Sequence, residues 1–392
     1  MKKIAILTES FVGWNGGVDF IKQIILALDS VSKEKKIKLY IFFIFNNKYK
    51  KYKGIKRLFL KIYEKFLSDL VLKDLYPGFE DFSSLRFVQY SGGLNLKRAL
   101  DKFNIETILP HMNPEYYDFK INSIGYLYDC QHKYFPEFFS KEDIVSRNSF
   151  FTSMVNKNKR IIVNANSVKD DLIEFYKANP DNIFVLPFTP KLNQKYLENN
   201  HSIISKYNLP KRYFISSNQF WLHKDHPTLY KAFAEFIKKE EYKDFELICT
   251  GLMEDSRRPN YINDLNNLLK DLGIQNKVRC LGLIPKLEQI EIMKSAVAVI
   301  QTTLFEGGPG GGSVWDAASL GIPAIISNIK TNLEITNTLN EIIFFESKDY
   351  QDLSDKMEKL MLTSLIRPSH YQLKEQSTLN TKILGEALYK LF

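Results

Sequence analysis

Short apolar runs alternate with segments whose apolar residues recur at helical spacing through most of the 392 residues. The first run, Ile4-Ala5-Ile6-Leu7, follows two lysines and ends before Thr8 and Glu9. Four apolar residues are too few for a signal-peptide core, so the run reads as a buried strand. Further strands are predicted near 38–45, 107–110, 124–128, 161–164 and 183–186, and helices over 18–32, 55–72, 95–103, 141–157 and 167–177. The polar, turn-rich stretch from Pro187 to Pro210 breaks this pattern and reads as a linker. The alternation then restarts, with strands at 213–217, 245–250, 277–281, 297–301, 323–327 and 342–345. Between and after them lie helical segments at 227–239, 259–272, 286–295, 313–320 and 349–363. A last helix over 373–391 carries Leu379, Ile383, Leu384, Ala387, Leu388 and Leu391 on one face.

Parallel strands need a crossover between them, and a helix of this length supplies one. Two runs of the pattern therefore predict two doubly wound α/β domains. The boundaries expected are 1–187 and 188–372, with 373–392 as a C-terminal helix crossing back onto the first domain. Such folds bind ligands beyond the carboxyl ends of their strands, so the expected site is the cleft between the domains.

Composition adds exclusions. Hydrophobic residues at 44% and charged residues at 25% exclude a disordered chain. No apolar run reaches the ~18–20 residues of a membrane span. The three cysteines, Cys130, Cys249 and Cys280, are far apart and show no metal-ligand spacing with the six histidines. They read as reduced, buried thiols of a cytoplasmic protein, and no metal is expected. The net charge of +9 is concentrated. Lys48, Lys50, Lys51, Lys53, Lys56, Arg57, Lys61 and Lys65 face one acid, Glu64, among apolar residues at helical spacing. A basic amphipathic helix over 48–70 suits an anionic membrane surface; it equally suits a core-packed helix with a solvated basic face. No nucleic-acid-binding motif accompanies it, so nucleic acid is not an expected partner.

The most unusual segment is Phe305-Glu306-Gly307-Gly308-Pro309-Gly310-Gly311-Gly312-Ser313-Val314-Trp315-Asp316, with five of the chain's 18 glycines in six positions. It follows the apolar strand Ala296–Ile300 and precedes a helix that Ser313 is positioned to cap. Glycines let backbone N–H groups approach a ligand closely, and the helix dipole favours negative charge, so the loop reads as a diphosphate site. Glu306 and Asp316 flank it, and ionised carboxylates accept hydrogen bonds from sugar and ribose hydroxyls. Gly16-Gly17, after the first strand, is a second place where a ligand can meet backbone; a tight turn reads equally well there.

Phe305–Pro323 resembles the donor site of family 4 glycosyltransferases, which have the GT-B fold of two facing Rossmann-like domains. There a Glu opens the loop, a second Glu follows eight positions later and an Ala-rich Gly-x-Pro tail follows, as in Ala317-Ala318-Ser319-Leu320-Gly321-Ile322-Pro323. In this chain the second carboxylate is Asp316, ten positions on. The resemblance places Lys224 as a phosphate-binding Lys, and Asn218 or Gln219 where the family has an Arg. It assigns Leu283 and Ile284 to the nucleotide-base loop, and Gly308, Gly310, Gly311, Gly312 and Ser313 to the donor diphosphate. Gly16-Gly17-Val18-Asp19 resembles the family's first-helix start and also faces the donor. Tyr126–His132, then Phe135-Pro136-Glu137-Phe138, resembles the HDLQH…PE stretch of one branch, with Asp129 and His132 kept and Tyr128 in place of the His that holds the donor sugar there.

By resemblance, then, Glu306, Lys224 and Asp129 are catalytic and Tyr128 and His132 contact the acceptor. The implied activity is retaining, metal-independent sugar transfer, without a cofactor, from a nucleotide diphosphate sugar to a glycan or lipid-linked acceptor. The implied setting is bacterial surface polysaccharide or glycolipid synthesis, in the cytoplasm or on the inner face of the membrane. A catalytically inactive nucleotide-sugar-binding relative and an epimerase of the same fold remain open alternatives.

Overall fold

The computed structural model describes residues 1–11, 15–44, 86–90, 93–157, 159–200, 202–255, 257–336, 338–364 and 366–392. The expected helix at 55–72 and the basic stretch 48–70 lie outside the described residues.

The first domain is a seven-stranded parallel sheet of β1 (Lys2–Leu7), β2 (Ile37–Ile44), β3 (Arg86–Tyr90), β4 (Thr107–His111), β5 (Asn122–Tyr126), β6 (Ile161–Val163) and β7 (Ile183–Val185). Their spatial order is β3-β2-β1-β4-β5-β6-β7. Ile4 through Leu7 are fully buried, because helices cover both sheet faces and a continuous apolar run is what such a strand needs. β3 is absent from the sequence expectation. It is an edge strand, and Arg-Phe-Val-Gln-Tyr has no continuous apolar run to mark it.

The second domain is a six-stranded parallel sheet of β8 (Tyr213–Ser217), β9 (Glu246–Thr250), β10 (Val278–Cys280), β11 (Val299–Gln301), β12 (Ala324–Ser327) and β13 (Ile342–Phe345), ordered β10-β9-β8-β11-β12-β13. The alternation of the sequence thus yields two doubly wound α/β sheets. In each sheet the strand order reverses at one place, between β1 and β4 and between β8 and β11.

The stretch expected as a linker is packed. Leu192 and Ile203 are buried in the second domain's core, beside Tyr213 and Ile215. The last helix, His370–Tyr389, holds it there: Asn380 Nδ2 donates to Pro190 O at 2.8 Å and Ser377 Oγ accepts from Leu192 N at 3.0 Å. This helix opens with a capping box, in which Ser369 Oγ accepts from Gln372 N while Gln372 Oε1 accepts from Ser369 N. Leu373 enters the second core and Leu384 and Leu388 the first, joined there by Leu391 just beyond the helix, so one helix is shared by both domains. Gly385 permits this: a Cβ there would lie 2.3 Å from Ala27 O in the Asn15–Ser32 helix. Leu379 and Ile383, expected on the buried face, are 52% and 37% exposed; the apolar stripe is wider than the surface available to cover it.

Candidate active site

The two loops that leave β8 and β11 at the switch point are tied together. Thr302 Oγ1 donates to Lys224 O at 2.8 Å and to Asp225 O at 2.9 Å. Leu304 N and Thr303 Oγ1 both donate to His223 O, at 2.7 and 3.2 Å. Asp225 takes a left-handed φ of 49° and caps the His226–Phe236 helix, which reverses the chain directly after Lys224. The result brings the Lys224 ammonium onto Glu306 Oε1, with side chains 10% and 12% exposed. Gln301 Nε2 donates to the same Oε1 at 3.2 Å and to Gly310 O at 2.5 Å. A buried charge is costly unless paired and hydrogen-bonded, and each is satisfied by the other.

Gly310 and Gly311 have φ of 71° and 57°, so the backbone here requires residues without a Cβ. A Cβ on Gly311 would sit 3.0 Å from Glu306 Oε2 and one on Gly310 2.6 Å from Val314. The helix Gly311–Ser319 begins two residues earlier than the sequence suggests, with Gly310 as its N-cap. Ser313 is consequently not the cap. It occupies the third helical position, buried, with an Oγ that finds no hydrogen-bond partner among the described residues. Gly312 is exposed with open space around its Cα. First-turn N–H groups have no intrahelical acceptors, so Gly312 and Ser313 leave donors open at this helix start, the arrangement that suits an anion. Asn332, fully buried, fixes the loop from behind: Oδ1 accepts from Gly310 N at 2.9 Å and Nδ2 donates to Ser327 O at 2.9 Å.

Asp316 is ion-paired with Lys286, which follows directly on Leu283-Ile284-Pro285. Burial pushes the Asp316 carboxyl up; Lys286 opposes this and Asp19 adds to it. Burial likewise pushes the Lys22 ammonium down, with Asp19 opposing and Lys286 adding. The Asn15–Ser32 helix starts with Gly16 exposed and Gly17 buried, and its Asp19 and Lys22 lie within electrostatic reach of the Lys286–Asp316 pair. Leu283 is 65% exposed and Ile284 packs on the second core. Asn218 and Gln219 turn toward their own domain: Asn218 Nδ2 donates to Ser216 Oγ at 3.3 Å, and Gln219 Oε1 accepts from Leu252 N at 2.8 Å.

The first domain meets this loop at the ends of β5 and β6. A Cβ on Gly307 would lie 2.4 Å from Tyr128 O and 2.9 Å from Asp129 Cβ; on Gly308 it would lie 3.0 Å from Asn164 Cβ. Burial raises the Asp129 carboxyl; Glu306 adds to the rise, while the Gln131 N–H (3.0 Å), Arg147 (3.6 Å) and Lys224 oppose it. Asp129 thus faces the Lys224–Glu306 pair. The Tyr128 ring is wedged between Phe151, edge-on at 5.6 Å, and the Arg147 guanidinium at 5.3 Å. His132 is buried behind Asp129, with Nε2 2.8 Å from Tyr176 OH and 3.3 Å from Asn148 Oδ1. Burial and Arg147 push its pKa down to about 4, which leaves the imidazole uncharged at neutral pH.

Sequence reasoning missed Gln301, Thr302, Thr303, Asn332 and Arg257. The first three are polar residues at the end of a buried strand, a pattern that signals a site. Arg257 forks onto Asp255 at 2.7 and 2.9 Å, 5.6 Å from the Trp221 ring and 5.9 Å from Phe138 of the first domain. Asp255 also accepts from Leu222 N at 3.0 Å, which braces the Lys224 loop. Among the described residues, no group of three or more His, Cys, Asp or Glu is placed to hold a metal ion, and no helix is long and apolar enough to cross a membrane.

Residues 199–378 match the family model of the glycosyl transferases group 1. No curated protein matches the chain. Among solved structures, a glycosyltransferase from Rickettsia africae is similar at a TM-score of 0.64 and 15% identity, over 100% of this chain and 97% of that one. Anabaena HepE, solved with UDP-glucose, is similar at 0.58 and 12%, over 98% and 95%. WaaG, a glycosyltransferase involved in lipopolysaccharide biosynthesis, is similar at 0.55 and 10%, over 98% and 95%. All three likenesses run through both sheets, and the fold they share with this chain is GT-B.

Proposed function

From a GT-B chain whose second half matches the glycosyl transferases group 1, we propose a retaining, metal-independent transfer of sugar from a nucleotide diphosphate sugar to a glycan or lipid-linked acceptor. The observation that carries this reading is the buried Lys224–Glu306–Gln301 cluster directly beneath a helix start whose loop is built from glycines. Diphosphate oxygens fit the Gly312 and Ser313 N–H groups and the unsatisfied Ser313 hydroxyl, with Lys224 neutralising charge. Glu306, no longer matched by Lys224 alone, accepts from the donor sugar's hydroxyls. Asp316, held by Lys286, accepts from ribose, and Leu283 offers an apolar surface for the base.

In the transfer step the anomeric C–O bond to the diphosphate breaks and the acceptor oxygen bonds to the same face of the sugar. The acceptor's proton passes to the departing phosphate oxygen. Catalysis then rests on positioning and on stabilising the leaving diphosphate, which the helix start and Lys224 supply. Surface polysaccharide or glycolipid synthesis is the setting we favour, given the likeness to WaaG.

A thermal-shift series with UDP-, GDP-, ADP- and dTDP-sugars tests the donor site. A cognate donor at 100 times its Kd adds about 2.7 kcal/mol to stability, and Lys224→Ala and Glu306→Ala reduce that gain. No stabilisation by any of the four overturns the site. A second reading, a binding-only relative, is favoured by one observation: Asn218 and Gln219 are engaged with their own strand ends, which leaves the diphosphate one lysine. It predicts binding without donor hydrolysis or transfer.

The acceptor's class bears on location. We assign the basic stretch Lys48–Lys65 to an anionic membrane surface on the cytoplasmic side. Flotation with phosphatidylglycerol vesicles is expected to capture the protein and to lose it when Lys48, Lys50, Lys51 and Lys53 become Gln. Capture that survives those changes removes this assignment.

A further inference from the structure

The turn after β12 connects the donor loop to the other domain. Asn332 holds Gly310 N, as above, and Thr331 Oγ1 donates to Glu306 O at 3.3 Å. Two residues later Glu334 reaches across the cleft. Its Oε2 accepts from Asn166 N at 2.6 Å and Asn166 Nδ2 at 3.0 Å, and its Oε1 accepts from Ser167 N at 2.7 Å. Ser167 Oγ lies 2.9 Å from Thr331 Oγ1 in a buried contact.

Asn166 and Ser167 open the first-domain helix Asn166–Tyr176. Its N-cap is Ala165, which has no side-chain acceptor, so the helix does not cap itself. A carboxylate at this end satisfies orphan N–H groups and meets the favourable end of the dipole. The first domain therefore obtains its cap from the second, and only while the domains stand in the relation that brings Gly307 against Tyr128 and Gly308 against Asn164.

We propose that Glu334 is a positioning residue for sugar transfer: it caps the first domain's helix from across the cleft and so holds Glu306–Gly310 in register with Asp129. The proposal rests on the transferase reading for its kinetic arm and on geometry alone for its structural arm. The Thr331–Glu334 turn acts at both ends, gripping the loop with Thr331 and Asn332 and the other domain with Glu334.

Glu334→Gln keeps the side chain's size but offers one acceptor oxygen in place of two and turns an N–H₂ toward a donor. Small-angle scattering of the ligand-free variant is expected to show a larger radius of gyration than the wild type. Hydrogen exchange at the Asn166 and Ser167 amides should quicken at least tenfold, with the melting curve remaining a single transition. With donor and acceptor, kcat should fall ten- to a hundredfold while the Kd for UDP changes less than threefold. Glu334→Ala should exaggerate each effect. Unchanged scattering with unchanged amide exchange overturns the proposal. So does a loss of UDP affinity that matches the loss of kcat, because Glu334 would then serve the second domain's own fold. A wild type that turns over no donor defeats the transferase reading, and scattering and exchange still decide the role of Glu334.

Discussion

Lys224→Met is expected to lower sugar transfer by about 10²–10³ and to destabilise the second domain by about 3–5 kcal/mol. The stability term comes from Glu306. Its side chain is 12% exposed and the ammonium of Lys224 is its ion-pair partner, so the substitution leaves a carboxylate in a site prepared for a pair. Gln301 Nε2 still donates to it, but a neutral donor does not offset the cost of burying a charge. The activity term is separate, since the leaving diphosphate loses its cation, an effect on the order of 10²–10³ in rate. Two measurements keep them apart. In the double variant Lys224→Met/Glu306→Gln no charge is left unpaired, so urea unfolding should return most of the lost stability while transfer stays at least as low as in Lys224→Met. If the single variant melts like the wild type, the pair is not held as tightly as the geometry indicates.

Gly307→Ala is expected to lower kcat about a hundredfold with little change in either domain's own stability. The added Cβ would stand 2.4 Å from Tyr128 O and 2.9 Å from Asp129 Cβ, both on the opposite domain and one of them backbone. Close-packed contacts do not absorb such an overlap, so the domains must part by roughly an ångström at this point, and a misplacement of that size costs about 10² in rate. Nucleotide binding should survive, because Glu306, Lys224 and the helix start all belong to the second domain. Titration with UDP reads the binding and single-turnover transfer reads the step. A variant that transfers at the wild-type rate shows that the closed contact is not the reactive one. Glu334→Gln should reach the same end by the opposite route: Gly307→Ala pushes the domains apart, whereas Glu334→Gln stops holding them together.

Much of the scaffold was legible in the chain. Buried parallel strands such as Ile4–Leu7 carry continuous apolar runs, and crossover helices carry an apolar period, so both report themselves locally. β3 did not, because the short edge sequence Arg-Phe-Val-Gln-Tyr carries no continuous apolar run. The stretch after Pro187 looked like a linker because its composition is polar, yet Leu192 and Ile203 suffice to anchor it. Ser313 looked like a cap because serine commonly is one; the left-handed Gly310 started the helix first.

The candidate site divides along the same line. By itself the sequence determined two doubly wound domains and a glycine-built loop at a helix start, opened by Glu306; Lys224 was marked as its phosphate-binding partner only by the resemblance to family 4 glycosyltransferases. Those are properties of residue type and short-range order. Tertiary structure decided the partners: Lys224 with Glu306 82 positions away, Lys286 with Asp316 30 away, and Glu334 with a helix start 168 away. An ion pair or a cap is specified by distance in space, and no local pattern encodes which of many lysines or carboxylates the strand order will deliver. The reversal between β8 and β11 makes that selection here, because it sets two loops side by side whose residues are otherwise strangers in the chain.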